Sequence, residues 1–220
     1  MRLIEKQDRL GGTAAISGGV VWLPDHEQMA AQGKTDSAAE ALAYFRSLDH
    51  GEMDEAVLAA FVTEARQMHN FLTGIAALQL TMMPDYPDYY GERPGAKADG
   101  GRSLDNELFD FASLGDWKDR VFSHGPAPRM MLREMPLGGS NGMVDPAELQ
   151  RRADRDLRGW GQALVGRLLR ACLDRGIKPL LGCGGYRLDV DNGRVTGATV
   201  ERDGQKEIML ARQGVILATG

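Results

Sequence analysis

Cysteine is scarce in this chain. Two residues, Cys172 and Cys183, stand among 220, too few for a disulfide-stapled fold, and they suit a reducing compartment, so a cytoplasmic location is expected. Positive charge is also short. Lys+Arg number 26 against Asp+Glu 31, a net −5, which disfavours partners such as nucleic acid or an anionic membrane. No apolar run approaches the roughly 18–20 residues of a membrane span, and the N-terminus lacks a signal-peptide layout. The four histidines, His26, His50, His69 and His124, are scattered, and neither cysteine has a partner at ligand spacing. No metal site is expected. There is no internal repeat and no low-complexity run.

What remains is an ordinary globular mix, 43% apolar and 26% charged, on a chain long enough for one domain or two and a proper core. Glycine is the excess. The 28 glycines are about 13% of the chain, near twice the average of about 7%. They cluster in short groups, as in loops where backbone must approach something closely.

Residues 1–5 read as the tail of a buried strand ending at acidic Glu5, and 214–218 read as another buried strand ending at Ala218. A domain rarely begins or ends on an uncovered parallel strand, so the chain is expected to be an internal piece of a longer protein. Asp36 or Ser37 predicts the cap of a first helix, with Glu40 as a capping-box partner to Ser37 and Ala41, Leu42, Phe45 and Leu48 as the apolar stripe. Asp54 to about Leu72 predicts a second helix. Gly161 to Arg175 predicts a third, with Leu164, Val165, Leu168, Leu169 and Cys172 inward and Gly176 ending it. Between them, 82–144 has no clean periodicity, the mark of a functional loop system or linker. After Lys178 the pattern turns to strands: 178–182, then 186–190, an Asp191-Asn192-Gly193 turn, 195–201, an Asp203-Gly204 turn and 207–211.

Two motifs fail on inspection. Gly182-Cys183-Gly184-Gly185 lacks the third glycine of G-x-G-x-x-G, and a strand follows it where a helix is needed. Gly138-Gly139-Ser140-Asn141-Gly142 matches a nucleophile elbow, but every histidine lies upstream of Ser140. A glycine-rich turn accounts for it better. Glu5 carries more. A carboxylate at a strand end can accept hydrogen bonds from both ribose hydroxyls of an adenosine. Gly11-Gly12-Thr13 offers bare amides and a hydroxyl to a pyrophosphate, and Ser17-Gly18-Gly19 repeats the device.

Glu5-Lys6, Gly11-Gly12-Thr13, Ser17-Gly18-Gly19, Trp22-Leu23-Pro24 and Gly214-Val215-Ile216-Leu217-Ala218-Thr219-Gly220 together resemble the FAD-binding half of the fumarate reductase/succinate dehydrogenase flavoprotein superfamily. Within it, Pro87-Asp88-Tyr89-Tyr90, Gly100-Gly101-Arg102-Ser103 and 161–169 are similar to the 3-ketosteroid Δ1-dehydrogenase branch. The resemblance covers essentially the whole chain. It implies an α/β, Rossmann-like FAD-binding domain in three layers, a parallel sheet plus a small antiparallel one, truncated at both ends. The family's G-x-G-x-x-G should lie roughly 20 residues before the ribose carboxylate, and only four residues precede Glu5 here. Residues 1–35 and 160–220 would form the nucleotide-binding core, and 36–159 a helical and loop insertion bearing part of the substrate site.

The implied FAD-binding residues are Glu5, Lys6, Gly11, Gly12, Thr13, Ser17, Gly18, Gly19, Gly184, Ala218, Thr219 and Gly220. Members that attach flavin covalently carry a histidine just before the position of Thr13. Gly12 stands there, so the FAD is expected to be non-covalent. The implied reaction is dehydrogenation beside the carbonyl of a steroid or similar apolar ketone, with hydride passing to flavin N5 and on to an external electron acceptor. Tyr89 occupies the position of an active-site tyrosine, a group that is neutral at pH 7 yet able to exchange a proton. Met82, Met83, Met130, Met131 and Met135 are candidates to line an apolar pocket. The alternatives are a fumarate-reductase-like enzyme that reduces an activated alkene, and a non-catalytic fold fragment.

Overall fold

The computed structural model describes residues 1–219, so the cofactor-binding expectation at Gly220 lies outside the described residues. The chain divides into two compact units: Met1–Leu10 with the chain from Cys172 onward, and Gly11–Ala171.

The first unit is built on an antiparallel meander of β6 (Cys183–Asp191), β7 (Arg194–Arg202) and β8 (Gln205–Leu210). The turns fall where the sequence places them. Asn192 and Gly193 both take positive φ (46° and 78°), as do Asp203 and Gly204 (52° and 73°), the conformation that tight hairpins require. The expectation of a parallel sheet joining the strand ending at Glu5 to one ending at Ala218 is overturned. The named sheets are antiparallel, and a single parallel bridge, Ile4 to Leu180, is all that forms at the first strand and at 178–182. Residues 214–219 form no strand, and Ile216 is 90% exposed. An apolar run becomes a strand only where a neighbour pairs its amides and carbonyls, and among the described residues 214–219 has none.

The second unit carries α1 (Gly12–Ile16), β1 (Val21–Trp22), α2 (Glu27–Ala31), α3 (Ala38–Leu48), α4 (Glu55–Ala76), β2 (Leu80–Met82), β3 (Ser103–Asn106), β4 (Phe109–Asp110), α5 (Pro146–Asp154) and β5 (Leu157–Arg158). Most of α6 (Trp160–Asp174) follows. Ser37 caps α3 as expected, its hydroxyl accepting from Glu40 N at 3.2 Å. Asp54 caps α4, accepting from the amides of Ala56 and Val57. The two helices meet through Phe45 and Phe61, edge to face at 5.5 Å. Sheet order β1-β3-β2 sets Leu104 against Leu23, Ala65, Leu78 and Leu80 in the core.

Two features depart from the periodicity. Strand β3 reads Ser-Leu-Asp-Asn and is buried at every position. Its polar groups are held from neighbouring loops: Asn106 Nδ2 donates to Gly19 O at 2.5 Å, and Asp105 Oδ2 accepts from Arg133 N at 2.8 Å. Burial raises the Asp105 carboxyl above its usual range, outweighing the Arg133 amide and the Arg133 guanidinium 3.6 Å away, both of which pull it down. In α6 the buried face belongs to Gly161, Gln162, Ala163, Gly166, Arg167, Leu169 and Ala171, while Leu164, Val165, Leu168 and Cys172 are half-buried. The cause is close approach. A Cβ at Gly166 would stand 2.7 Å from the Phe109 ring, and one at Gly161 would collide with the Ala14 carbonyl oxygen.

Gly161→Ala should therefore lower the unfolding free energy by about 2 kcal/mol or more, since backbone cannot yield as a flexible side chain can. Gly74→Ala, on the exposed side of α4 with nothing within 4 Å of the added Cβ, should instead raise it by about 0.5–1 kcal/mol. Denaturant unfolding of the two variants checks the pair.

Candidate functional site

In the first unit, Glu5 is fixed by its backbone. Its N–H donates to Leu180 O, and its carbonyl accepts from Cys183 N, each at 2.9 Å. Its carboxylate accepts Gln7 N–H at 2.8 Å and stays half-exposed. Lys6 follows it into a recess of about 340 Å³ lined with Gly182, Gly184, Gly185, Tyr186 and Glu201. A Cβ at Gly184 would rest 3.5 Å from that of Lys6. The glycines thus leave bare backbone along one wall, as a flat heterocycle laid against the chain requires. Ala218 and Thr219 are exposed coil.

In the second unit, the glycines expected to cradle a cofactor have separable roles. A Cβ at Gly11 (φ 97°) would meet Ala15 Cβ at 2.8 Å and Val165 at 3.0 Å. One at Gly19 (φ 70°) would meet Gly161 N and Trp160 C, both at 2.5 Å. These two are occupied by packing. Gly18 has only ordinary contact with Leu132 at 3.7 Å. Gly12 (φ 45°) has nothing within 4 Å, and Thr13 beside it is exposed. Gly12 and Thr13 are therefore the positions where this loop is free to meet a phosphate. Ser17 Oγ donates to Ala14 O at 2.9 Å and accepts from Gly19 N at 3.0 Å, so its hydroxyl braces the turn.

Trp160 closes the same loop from the other side. It holds φ 56°, a strained angle for a bulky residue, and the next amide, Gly161 N, donates to Ser17 O at 3.0 Å. An apolar recess of about 280 Å³ opens beside it, lined by Ile16, Met130, Met135, Met143, Trp160 and His124 among others. Of the methionines expected to line a pocket, Met130 and Met135 do so. Met82 and Met83 are buried in the core, and Met131 N donates to Glu134 Oε2 at 2.8 Å at the start of a 3₁₀ turn.

Tyr89 is 85% exposed. Burial, with the neighbouring Tyr89 phenol, raises the Tyr86 phenol above its usual value. The residues on either side are pinned. Asp88 N donates to Lys97 O at 3.0 Å, and Tyr90 N donates to Tyr44 Oη at 3.3 Å. The Asp88 side chain turns inward, accepting from Trp22 Nε1 at 2.7 Å, from Lys97 N at 2.8 Å and from Arg102 Nη1 at 2.9 Å. Arg102 is fully buried. Its Nε and Nη2 donate to the two oxygens of Asp36 at 2.8 and 2.6 Å, and its guanidinium lies 5.2 Å from the Trp22 ring centroid. Sequence reasoning quoted Trp22, Asp88 and Arg102 as separate signatures. Asp36 entered only as a possible cap, and nothing in the spacing joined the four.

Burial alone works against charge on both Asp36 and Arg102. Their mutual hydrogen bonds, with the amides of Asp25 and Ser37, outweigh it, so Asp36 is held below the ordinary carboxylate range and Arg102 above its usual value.

All 220 residues match the model of the family described as FAD binding domain. The chain belongs to the FAD binding domain family. It is 37% identical over 225 residues to 4-oxocyclohexanecarboxylate 2-dehydrogenase of Sinomonas cyclohexanicum, covering 99% of this chain and 38% of that protein. It is 29% identical over 238 residues to 3-oxosteroid 1-dehydrogenase of Mycolicibacterium smegmatis, with 99% and 42% covered. Among solved structures, 3-ketosteroid Δ1-dehydrogenase from Sterolibacterium denitrificans, in complex with 1,4-androstadiene-3,17-dione, superposes with a TM-score of 0.80 at 31% identity, over 100% of this chain and 43% of that one. The chain spans about two-fifths of the length of these relatives. FAD is the cofactor of the family. Within the second unit, the open backbone at Gly12 fits a phosphate of such a group.

Asp36 sets a pH dependence. A carboxyl held low in the folded state contributes stability that is fully present above its unfolded pKa, about 3.9, and is lost as pH falls through the folded value. Unfolding free energy should fall on acidification below about pH 4, and more shallowly in Asp36→Asn, whose lower starting stability lacks this group. Chemical denaturation across pH 2.5–6, a window of about that unfolded pKa, reads both.

Proposed function

We propose that the whole protein is an FAD-dependent dehydrogenase that introduces a double bond beside the carbonyl of a cyclic ketone, with a 3-ketosteroid oxidised between C1 and C2 as its substrate. The observation that carries this reading is the likeness, over the full chain, to a 3-ketosteroid Δ1-dehydrogenase structure. The relative that acts on 4-oxocyclohexanecarboxylate favours a second substrate of the same chemistry, a single-ring ketone.

FAD supplies the hydride acceptor at N5, and an external acceptor reoxidises it. The residues of this chain bind and orient. Glu5 would accept hydrogen bonds from the ribose hydroxyls, Lys6 and Gly184 would flank the adenine, and Gly12 and Thr13 would meet the pyrophosphate. Gly11, Ser17, Gly18 and Gly19 keep that loop in shape, and Ala218 and Thr219 complete the cofactor's surroundings. Residues 1–35 and 160–220 thus serve the nucleotide, and 36–159 part of the substrate site. With glycine at position 12, no nucleophile stands before Thr13, so the flavin is held non-covalently. The two unpaired cysteines suit a cytoplasmic setting.

Removing a proton beside a carbonyl leaves charge on an enolate-like carbanion, which a neutral hydrogen-bond donor stabilises. Tyr89 presents an accessible hydroxyl, so a proton can be held there. The recess of Met130, Met135 and Ile16 offers the adaptable apolar surface that a ring substrate needs.

In the whole protein, Tyr89→Phe should lower kcat on a 3-ketosteroid by about 100-fold or more, the scale of a lost acid–base participant. KM should change far less, since the ring remains. Tyr90→Phe should stay near the parent rate, because the bond at that residue is made by its amide. Both should keep flavin, and acid precipitation should release it to the supernatant. Parent-rate turnover by Tyr89→Phe overturns the role of Tyr89. Turnover of 4-oxocyclohexanecarboxylate with none of the steroid decides for the smaller substrate.

A further inference from the structure

The loop that carries Tyr89 is fastened out of proportion to its place on the surface. Its anchor is a cluster in which Arg102, Asp36 and Asp88 are all buried, with side-chain exposures of 0%, 0% and 1%. Burying a guanidinium and two carboxylates costs solvation that their attraction repays only in part, and well-packed apolar groups would serve stability as well or better. What such a cluster provides is direction. Every strong donor of Arg102 engaged here points at a fixed oxygen, and Asp88 has both oxygens taken, one by Trp22 and the other by Lys97 N and Arg102.

The return limb of the loop is seated just as closely. A Cβ at Gly95 would collide with Glu40 O on α3, and one at Gly100 would stand 2.6 Å from Pro84 O and 2.7 Å from Tyr86 N. Lys97 Nζ reaches Glu40 at 2.8 Å. Asp88 precedes Tyr89 by one residue, and Tyr90 N is tied to Tyr44. The backbone of Tyr89 is therefore held on both sides while its phenol projects outward.

We infer that Asp88, clamped by Arg102 and Trp22, is the positioning residue for Tyr89: the buried cluster sets where the phenol stands when substrate arrives. The inference rests on the reading of Tyr89 as an acid–base participant. Asp88 and Arg102 are buried within the protein and act through the loop. A misplacement of about 1 Å in a reacting group costs on the order of 100-fold in rate, so a small loosening of the clamp is felt in kcat.

The test is a double-mutant cycle in the whole protein. Asp88→Asn keeps the shape of the side chain and removes its charge, leaving Arg102 with Asp36 alone. It should lower kcat at least about tenfold, with flavin per protein unchanged and KM moved by less than about threefold. In the Tyr89→Phe background the same substitution should cost less than about threefold, because the group it positions is gone. A merely structural role would lower both backgrounds alike. Trp22→Phe, which removes the indole N–H bond to Asp88 and trims the ring beside Arg102, Tyr44 and Phe45, is run through the same cycle and carries the test if Asp88→Asn fails to fold. Parent-level kcat in these variants overturns the inference, and so does a loss that persists undiminished without the Tyr89 hydroxyl. A silent Tyr89→Phe is a separate result: it removes the underlying reading of Tyr89, and the inference falls with it.

Discussion

A guanidinium wholly out of solvent, shared between two buried carboxylates, is the constraint on which the unit Gly11–Ala171 turns. Arg102 lies one residue before β3, the middle strand of its sheet, and its carbonyl accepts from Leu23 N at 2.8 Å just after β1. Asp36 precedes the cap of α3 and also accepts from Asp25 N and Ser37 N. Asp88 closes the tyrosine loop. One side chain thus ties sheet, helix and loop to a common point. Removing Arg102 leaves two buried carboxylates without their shared cation, at a cost of about 3–5 kcal/mol. The arrangement specifies a geometry more than it adds stability.

Glycine does the complementary work. Gly19, Gly161 and Gly166 are used to bring backbone against backbone or ring, so that α6, the loop after α1 and Phe109 share a space that a Cβ would fill. Gly12 leaves its space open, and Gly184 meets only the Lys6 side chain at ordinary contact distance. A glycine-rich sequence cannot tell these two uses apart, because both ask only for the missing side chain. The coordinates separate them, and the separation narrows the candidate phosphate contact to Gly12 and Thr13.

Much of the local structure was legible. The Ser37 and Asp54 caps, the start and end of α6 and the hairpin turns at Asn192-Gly193 and Asp203-Gly204 all follow from side-chain chemistry within a few residues. What was not legible depends on distant partners. Residues 1–5 and 214–218 have the composition of buried strands, but a strand exists only beside another. Strand β3 has no alternation, because Asn106 Nδ2 and Asp105 Oδ2 take partners from loops far away in sequence. The inward face of α6 was misread for a related reason: small residues were chosen for close approach, and periodicity scores only apolar bulk. At the site, the family resemblance supplied Tyr89 and the glycine loops. The link from Asp88 through Arg102 to Asp36, spanning 66 residues between Asp36 and Arg102, left no mark in spacing.

Amide hydrogen exchange, resolved at residues 86–98, tests the central claim most directly. If the buried cluster pins the tyrosine loop, the amides of Asp88 and Lys97, both committed to hydrogen bonds within the loop, should exchange as slowly as those in the interior of α3. Arg102→Met should make them exchange about 100-fold faster or more, as a bonded loop becomes a free one. Fast exchange in the parent protein, like that of an unanchored surface loop, would contradict the account.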